Sequence, residues 1–439
     1  MFKDAFIKKI VFRDRIKLIE QHNNLYNKNL SNNSIYDYQL NKFNLQWRTI
    51  TRDNKFYNYW RRKHNLPKKI DNLEELRSFP ILTKKDIQQQ RDLIFSNSPN
   101  CSVISTGGST GEPTQFPTSR IELLNNYANT YLARNWFNIS PLDEIILFWG
   151  HSHLFGTGLK GKVNQVKRNL SDYLINTRRF NAYDMSVDTI DKYAKIINES
   201  NPKAIIGYTS LIYKLAKYIK ENNLDIGDKS NLEAIIVTSE TVTQLDVKLI
   251  EEVFMTPCVL EYGMAETGVI AYSKYNSTDL RFFWDSFIGL KDSDNILNIT
   301  TIHDKVFPLI NYRTDDIIST NDKHSILNIS SIDGRKKDIL KIISNDKLFE
   351  ISGILLIHAL KLYDGIFEIQ FVQKEHGKVS IHFTANRKMN IQQVLKFFIE
   401  NIKVDYPNID SNCFDIVQVV SISKTIAGKH KLIKIEKGF

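Results

Sequence analysis

The sequence predicts an α/β protein: a large N-terminal domain of parallel or mixed sheets flanked by helices, then a small C-terminal α+β domain. Three observations predict it. Short apolar runs alternate with helical periods through the middle of the chain, as in strand–helix–strand units. The texture changes near Gly334–Lys341 to paired strands around one helix. At 439 residues the chain is also too long for one ordinary core.

The elements follow in order. Residues 1 to about 95 read as mainly helical, with polar breaks around Asn27–Ser34 and Pro67–Asp71. Within them, Met1–Glu20 mixes basic and apolar residues at helical spacing and lacks the uninterrupted apolar core of a signal peptide, so a packed helix is expected. Strands are predicted at Glu144–Trp149, Lys203–Tyr208, Leu232–Thr238 and Cys258–Tyr262. A helix is predicted over Ser210–Glu221. A second runs through Phe254 from a capping box formed by Thr243 and Asp246. In sheets of this kind, ligand loops lie at the carboxyl ends of the strands. The C-terminal region reads as a hairpin, Phe367–Gln373 with Lys378–Thr384, a helix Ile391–Ile402 and a strand Phe414–Ile422. The expected domains are residues 1–334 and 335–439.

Composition narrows the function. Hydrophobic residues are 42% and aromatics 11%, enough for a packed interior and too many for a disordered chain. The 59 basic and 49 acidic residues give a net charge of +10, mild for this length. That balance suits anionic ligands such as nucleotides, and no nucleic-acid-binding module is recognisable. Cys101, Cys258 and Cys413 are far apart and form no CxxC pair, which argues against disulfides and fits a reducing, cytoplasmic setting. No stretch approaches a membrane span.

The chemistry is concentrated in Ser105–Thr114, STGGSTGEPT, with three glycines and five hydroxyl side chains in ten positions. Glycines let backbone N–H groups approach an anion, and hydroxyls add neutral donors, so the segment suits a polyphosphate. By composition alone, an ordinary surface loop accounts for it equally well. Gly156–Gly161 also matches GxGxxG, but it does not follow a strand directly. The overlapping Walker-like match lacks its hydroxyl residue, with Val163 in that place. A glycine-rich loop beside a substrate pocket is expected there. His151 and His153 have metal-like HxH spacing without an accompanying ligand cluster, so a pocket or surface role is expected.

Ser105–Thr114 resembles the phosphate-binding loop of the adenylate-forming superfamily, which includes acyl-CoA synthetases and peptide-synthetase adenylation domains. Phe79–Asp86, FPILTKKD, resembles the phenylacetate–CoA ligase-like branch, which includes proteins of capsular-polysaccharide clusters. Further motifs occur in family order: Tyr262–Thr267 (YGMAET), Tyr312–Asp316 (YRTDD), Gly334–Lys341 and Ser423–Lys431.

The resemblance implies an AMP-forming ligase that activates a small carboxylic acid with ATP and Mg²⁺. The acyl group then passes to coenzyme A or, alternatively, to an amine, amino sugar or carrier thiol. A catalytically idle nucleotide-binding scaffold is the third reading. By resemblance, Ser105, Thr106, Gly107, Gly108, Ser109, Thr110 and Gly111 cradle phosphates, with Thr110 also near the metal. Tyr262, Gly263 and Thr267 flank the nucleotide, and Glu266 holds Mg²⁺ through it. Asp316 accepts the ribose hydroxyls, Arg335 reaches ribose or phosphate, Asp338 is the hinge and Lys429 the catalytic ammonium. Asp315 stands where glycine is usual, so the local backbone is expected to differ. Trp149, His151, Phe155, Gly207 and Ser239 are expected at the acyl pocket.

Overall fold

The computed structural model describes residues 13–96, 101–106, 114–149, 158–182, 186–240, 242–274, 279–335, 339–361, 363, 365–375, 377–385, 387–422 and 432–436. Helices Arg13–Tyr26, Asn32–Asp53 and Lys55–Lys63 open the described chain, followed by a 3-10 turn and two short helices, Lys84–Gln89 and Arg91–Phe95. The breaks fall at residues 27–31 and 64–72, as expected. Aromatic residues hold this segment together: Phe43, Trp47, Phe56, Tyr57 and Trp60 share a buried cluster with Phe79, Phe307 and Tyr312.

In chain order the first strands are β1 (Ser102–Ser105), β2 (Gln115–Thr118), β3 (Ile145–Phe148), β4 (Thr177–Phe180), β5 (Ala204–Tyr208), β6 (Ala234–Thr238) and β7 (Cys258–Met264). Next are β8 (Gly268–Ser273), β9 (Leu280–Phe282), β10 (Phe287–Lys291), β11 (Ile296–Thr301), β12 (Tyr312–Ser319), β13 (Asn328–Ile329) and β14 (Ser331–Arg335). The last are β15 (Ile339–Ser344), β16 (Lys347–Ser352), β17 (Ile366–Glu375), β18 (Lys378–Ala385), β19 (Phe414–Gln418) and β20 (Ile433–Ile435).

The central sheet has the order β13-β9-β8-β7-β6-β5-β3-β4 among the described residues. From β7 to β4 its strands are parallel, and β8, β9 and β13 are antiparallel. Every residue of β5 and β6 is buried, because helices cover both faces. Alternation then divides their side chains. Ala204, Ile206, Ala234 and Ile236 enter one core, and Ile205, Ile235 and Val237 the other. Each buried Ile or Val contributes about 1.5–3 kcal/mol. The predicted capping box is present: Thr243 Oγ1 accepts from Asp246 N (3.2 Å), and Asp246 Oδ2 accepts from Thr243 N (2.8 Å).

Strands β10, β11, β12 and β14 form an antiparallel sheet that the sequence reading did not anticipate. The C-terminal unit has its own core, in which Phe371, Val379, Ile381 and Phe383 pack on Val394, Phe398 and Ile402 of the Ile391–Asp405 helix. The predicted hairpin is β17–β18. Strand β19 stops at Gln418 rather than Ile422. Its register reaches only Phe383 of β18, and Val420 is fully exposed. Gly158 and Gly161, expected in a loop, lie in a helix, Gly158–Leu174. Apolar Val163, Val166 and Leu170 at helical spacing extend that helix.

Candidate functional site

Strands β1 and β2 form a hairpin whose register ends at Ser105 opposite Gln115. Its neck is closed twice: Thr106 N donates to Thr114 O (2.9 Å), and Thr114 N donates to Thr106 Oγ1 (3.1 Å). Ser105 and Thr106 therefore stand at the base of the glycine-rich segment. Gly107, Gly108, Ser109, Thr110 and Gly111 lie outside the described residues.

At the carboxyl end of β7, the Tyr262 hydroxyl donates to Asp316 Oδ2 (2.6 Å). Arg335 Nε donates to the other oxygen, Oδ1, at 3.1 Å. Pairing of β12 with β14 sets Asp316 directly opposite Arg335. Three residues singled out from separate motifs thus meet at one carboxylate. Burial raises the Tyr262 pKa well above its ordinary value, and the Asp316 charge adds to this. Tyr262 is therefore a fixed donor. Asp315 takes φ +65°, the left-handed conformation that glycine adopts freely, so the backbone keeps the shape that suits glycine despite the side chain. Its carboxylate lies 3.4 Å from Arg313.

The turn after β7 buries Glu266, whose Oε1 accepts from the Tyr312 hydroxyl (2.7 Å) and lies 3.3 Å from Lys84 Nζ. Burial and the Glu266 charge raise the Tyr312 pKa. Thr267 N donates to Met264 O at 3.3 Å. Two glycines are required by space. A Cβ on Gly263 would lie 2.6 Å from Gly268 O, and one on Gly268, at φ +74°, would lie 2.1 Å from Asn126 Oδ1.

Lys84 opens the short helix Lys84–Gln89, whose sequence signature is a capping box. Thr83 Oγ1 accepts from Asp86 N, and Asp86 Oδ2 accepts from Thr83 N. Leu82 bridges to Tyr312 as an extra parallel partner of β12. One turn beyond Lys84, Gln88 Nε2 donates to Thr114 Oγ1 (3.0 Å). This helix therefore joins Glu266 to the neck of the glycine-rich loop across a rise of about 6 Å.

The other predicted residues line the same edge of the central sheet. Trp149 follows β3, with its ring centroid 5.0 Å from that of Tyr208 at the end of β5. Gly207 lies against Phe148 and Ile212, where a Cβ would approach to 3.1 Å. Ser239 follows β6 at φ +67°. His151, His153 and Phe155 lie outside the described residues, as do Asp338 and Lys429. The structure brings Tyr262, Asp316 and Arg335 together at one carboxylate, and it links Glu266 through Lys84 and Gln88 to the loop neck that Thr106 closes. Sequence reasoning missed Lys84 and Tyr312 as partners of Glu266. The quoted motifs FPILTKKD and YRTDD contained both residues.

No family model matches the chain. The structure superposes on a solved 2-hydroxyisobutyryl-CoA ligase, in its postadenylation state with 2-HIB-AMP, at a TM-score of 0.71. The match covers 93% of this chain and 91% of that one at 14% identity. The chain has the adenylate-forming ligase fold. McyG A-PCP complexed with phenylalanyl-adenylate shares this fold at a TM-score of 0.53 and 14% identity, over 76% of this chain and 66% of that one. Among curated proteins, Protein CapK of Staphylococcus aureus is 24% identical over 413 residues, 91% of this chain and 89% of CapK. The thioesterification state of the 2-hydroxyisobutyryl-CoA ligase superposes less well on this adenylate-forming fold, at 0.57 with 93% of this chain covered. Lys217 Nζ of the Thr209–Glu221 helix donates to Ile366 O of β17 at 2.5 Å, linking the central-sheet region to the C-terminal unit.

Proposed function

We propose that the chain is an ATP-dependent, AMP-forming ligase that activates a carboxylic acid as an acyl-adenylate and transfers the acyl group to coenzyme A. The observation that carries this reading is the convergence of Tyr262, Asp316 and Arg335 beside Glu266, which one short helix ties to the neck of the Ser105–Thr114 loop. Asp316 is suited to the ribose, the loop to the phosphates, and Glu266 to a cation between its charge and theirs. Among the described residues there is no group of three or more His, Cys, Asp or Glu able to hold a metal. A single carboxylate suits Mg²⁺ carried on substrate phosphates.

In the first step a carboxylate oxygen of the acid attacks the α-phosphorus of ATP. The bond to pyrophosphate breaks, leaving acyl-adenylate and free pyrophosphate. The acid's poor oxide leaving group has been replaced by AMP. Charge gathers on the α-phosphoryl oxygens, where the Lys429 ammonium would stabilise it. In the second step the thiol sulfur of coenzyme A attacks the acyl carbon, AMP departs and the thiol proton is lost. We assign the division to residues 1–334 and 335–439, with Asp338 as the hinge. The separate hydrophobic core of the C-terminal unit supports that division.

The test is pyrophosphate release from ATP with a panel of carboxylic acids, followed by coenzyme A. Acid-dependent release and a thioester product are expected. No release with any acid would refute adenylation. Release without a thioester would shift the acceptor to an amine, amino sugar or carrier thiol.

A further inference from the structure

The C-terminal unit meets the rest of the chain at a contact that the chemistry above does not use. Lys214 and Lys217 lie at i and i+3 on the Thr209–Glu221 helix, on the face opposite Ile212, Leu215 and Ile219, which enter the core over the central sheet. Such a face ordinarily looks to water. Yet Lys217 is only 8% exposed and the Lys214 side chain 11%, because the start of β17 covers both. Lys217 Nζ donates to Ile366 O (2.5 Å) and lies 3.7 Å from Glu221. Lys214 Nζ lies 4.0 Å from Glu368 Oε2. Each ammonium stands 5.5 Å from the centroid of the Phe367 ring, within cation–π range.

Strand β17 is shaped for this contact. Ile366 pairs with Ala385 and Glu368 with Thr384, so Phe367 is the extra residue of a β-bulge. A bulge re-aims a side chain. Here Ile366 and Ile369 enter the C-terminal core, while the Phe367 ring turns to the two lysines. Glu368 is held by the Thr384 hydroxyl, which donates to Oε2 (3.2 Å). No apolar core spans the junction: among the described residues, the main hydrophobic clusters of the two units share no member. Ammonium groups and a carboxylate rehydrate when such an interface opens, and one ring is the chief apolar loss. A junction of this kind orients two units reversibly.

We propose that Lys214, Lys217 and Phe367 are positioning residues that hold the C-terminal unit in the orientation seen here. This rests on the ligase reading above, in which that unit carries Lys429. Its orientation decides whether the Lys429 ammonium reaches the α-phosphoryl group. Holding one orientation therefore sets the rate of adenylation against the rate of thioester formation.

The experiment pairs a distance measurement with the two half-reactions. Nitroxide labels are placed on the exposed Lys248 and Lys403, as Lys248→Cys and Lys403→Cys in a Cys101→Ser background, one on each unit. The inter-label distance is read by pulsed electron resonance. The otherwise unsubstituted protein should give one dominant distance. Phe367→Leu, which keeps apolar bulk without the π face, and Lys214→Met should broaden or shift it. Lys214→Arg, which keeps the charge, should restore it. In the unlabelled variants, the ratio of pyrophosphate exchange to thioester formation should change by about 5- to 30-fold, the equivalent of two lost cation–π contacts. An unchanged distance in both Phe367→Leu and Lys214→Met would overturn the proposal. So would an equal fall in both half-reactions, which is the mark of general damage. Absence of exchange with every acid in the wild type would instead refute adenylation, and the distance measurement would still judge the contact.

Discussion

Replacing Asp316 by alanine should weaken ATP binding by an amount that the structure sets. An ionised carboxylate offers about four lone-pair sites. Two are used here, one by the Tyr262 hydroxyl at 2.6 Å and one by Arg335 Nε at 3.1 Å. The remaining two match the two ribose hydroxyls. Hydrogen bonds to a charged group contribute about 1.5–3 kcal/mol each, so losing both costs about 3–6 kcal/mol, or two to four decades in Kd. Asparagine keeps one acceptor oxygen and should lose about half of that free energy. Alanine also strands the buried Tyr262 hydroxyl, a stability cost of about 1–3 kcal/mol that thermal melting would register separately. Calorimetry with ATP and with a dideoxy analogue lacking both ribose hydroxyls isolates the contact. The wild type should bind the analogue about as weakly as Asp316→Ala binds ATP, and the variant should barely distinguish the two ligands. If Asp316→Ala still discriminated between them as the wild type does, the carboxylate would not hold the ribose.

Lys429→Ala should abolish adenylate formation while ATP still binds, and pyrophosphate exchange at the wild-type rate would reject that role. Glu122 and Lys305 form a buried pair (2.8 Å) in which Glu122 also accepts from Val306 N (2.6 Å) and Thr118 Oγ1 (3.2 Å). Glu122→Leu should cost about 3–5 kcal/mol in urea unfolding by leaving Lys305 buried alone, and adding Lys305→Met should recover part of it. Strictly additive losses would show that the pair is not coupled. His22 Nδ1 lies 2.9 Å from the buried Asp285 carboxylate. Burial opposes the histidine charge, but Asp285 outweighs it and raises the His22 pKa above 6.5. Burial likewise opposes the Asp285 charge, but His22 and Tyr26 lower that pKa below 3.8. The histidine contribution is complete below 6.5 and lost as pH rises through its higher folded value. The aspartate contribution is complete above 3.8 and lost as pH falls through its lower folded value. The unfolding midpoint should therefore drift downward above pH 6.5, and His22→Gln should remove that drift. Gly268→Ala should destabilise by more than about 1 kcal/mol, because φ +74° and the Asn126 side chain both exclude a Cβ; an unchanged melting temperature would contradict this.

Where local sequence decides structure, the sequence was informative. The runs AIIGY and AIIVT read as strands because both of their faces are buried. The Gln244–Phe254 helix announced itself through Thr243 and Asp246, which bond to each other across three positions. The β10–β14 sheet was not foreseen. Its strand β11, ILNITT, is buried throughout and offers no period-two alternation. The same holds for the site. Tyr262, Asp316 and Arg335 lie within motifs, but their meeting at one carboxylate came only with the pairing of β12 with β14. Lys84 was visible as a letter in a motif, but its partner Glu266 came only with the folded chain.

The helix Lys84–Gln89 is a single rigid strut with a positive charge at one end and an amide at the other. Because it grips Glu266 with the first and the hairpin neck with the second, neither end can be displaced without pulling on the other. A substitution at Thr83 or Asp86, which merely frays this turn, would loosen both attachments at once. Damage there would look like the loss of two distant binding contacts from one half-buried change.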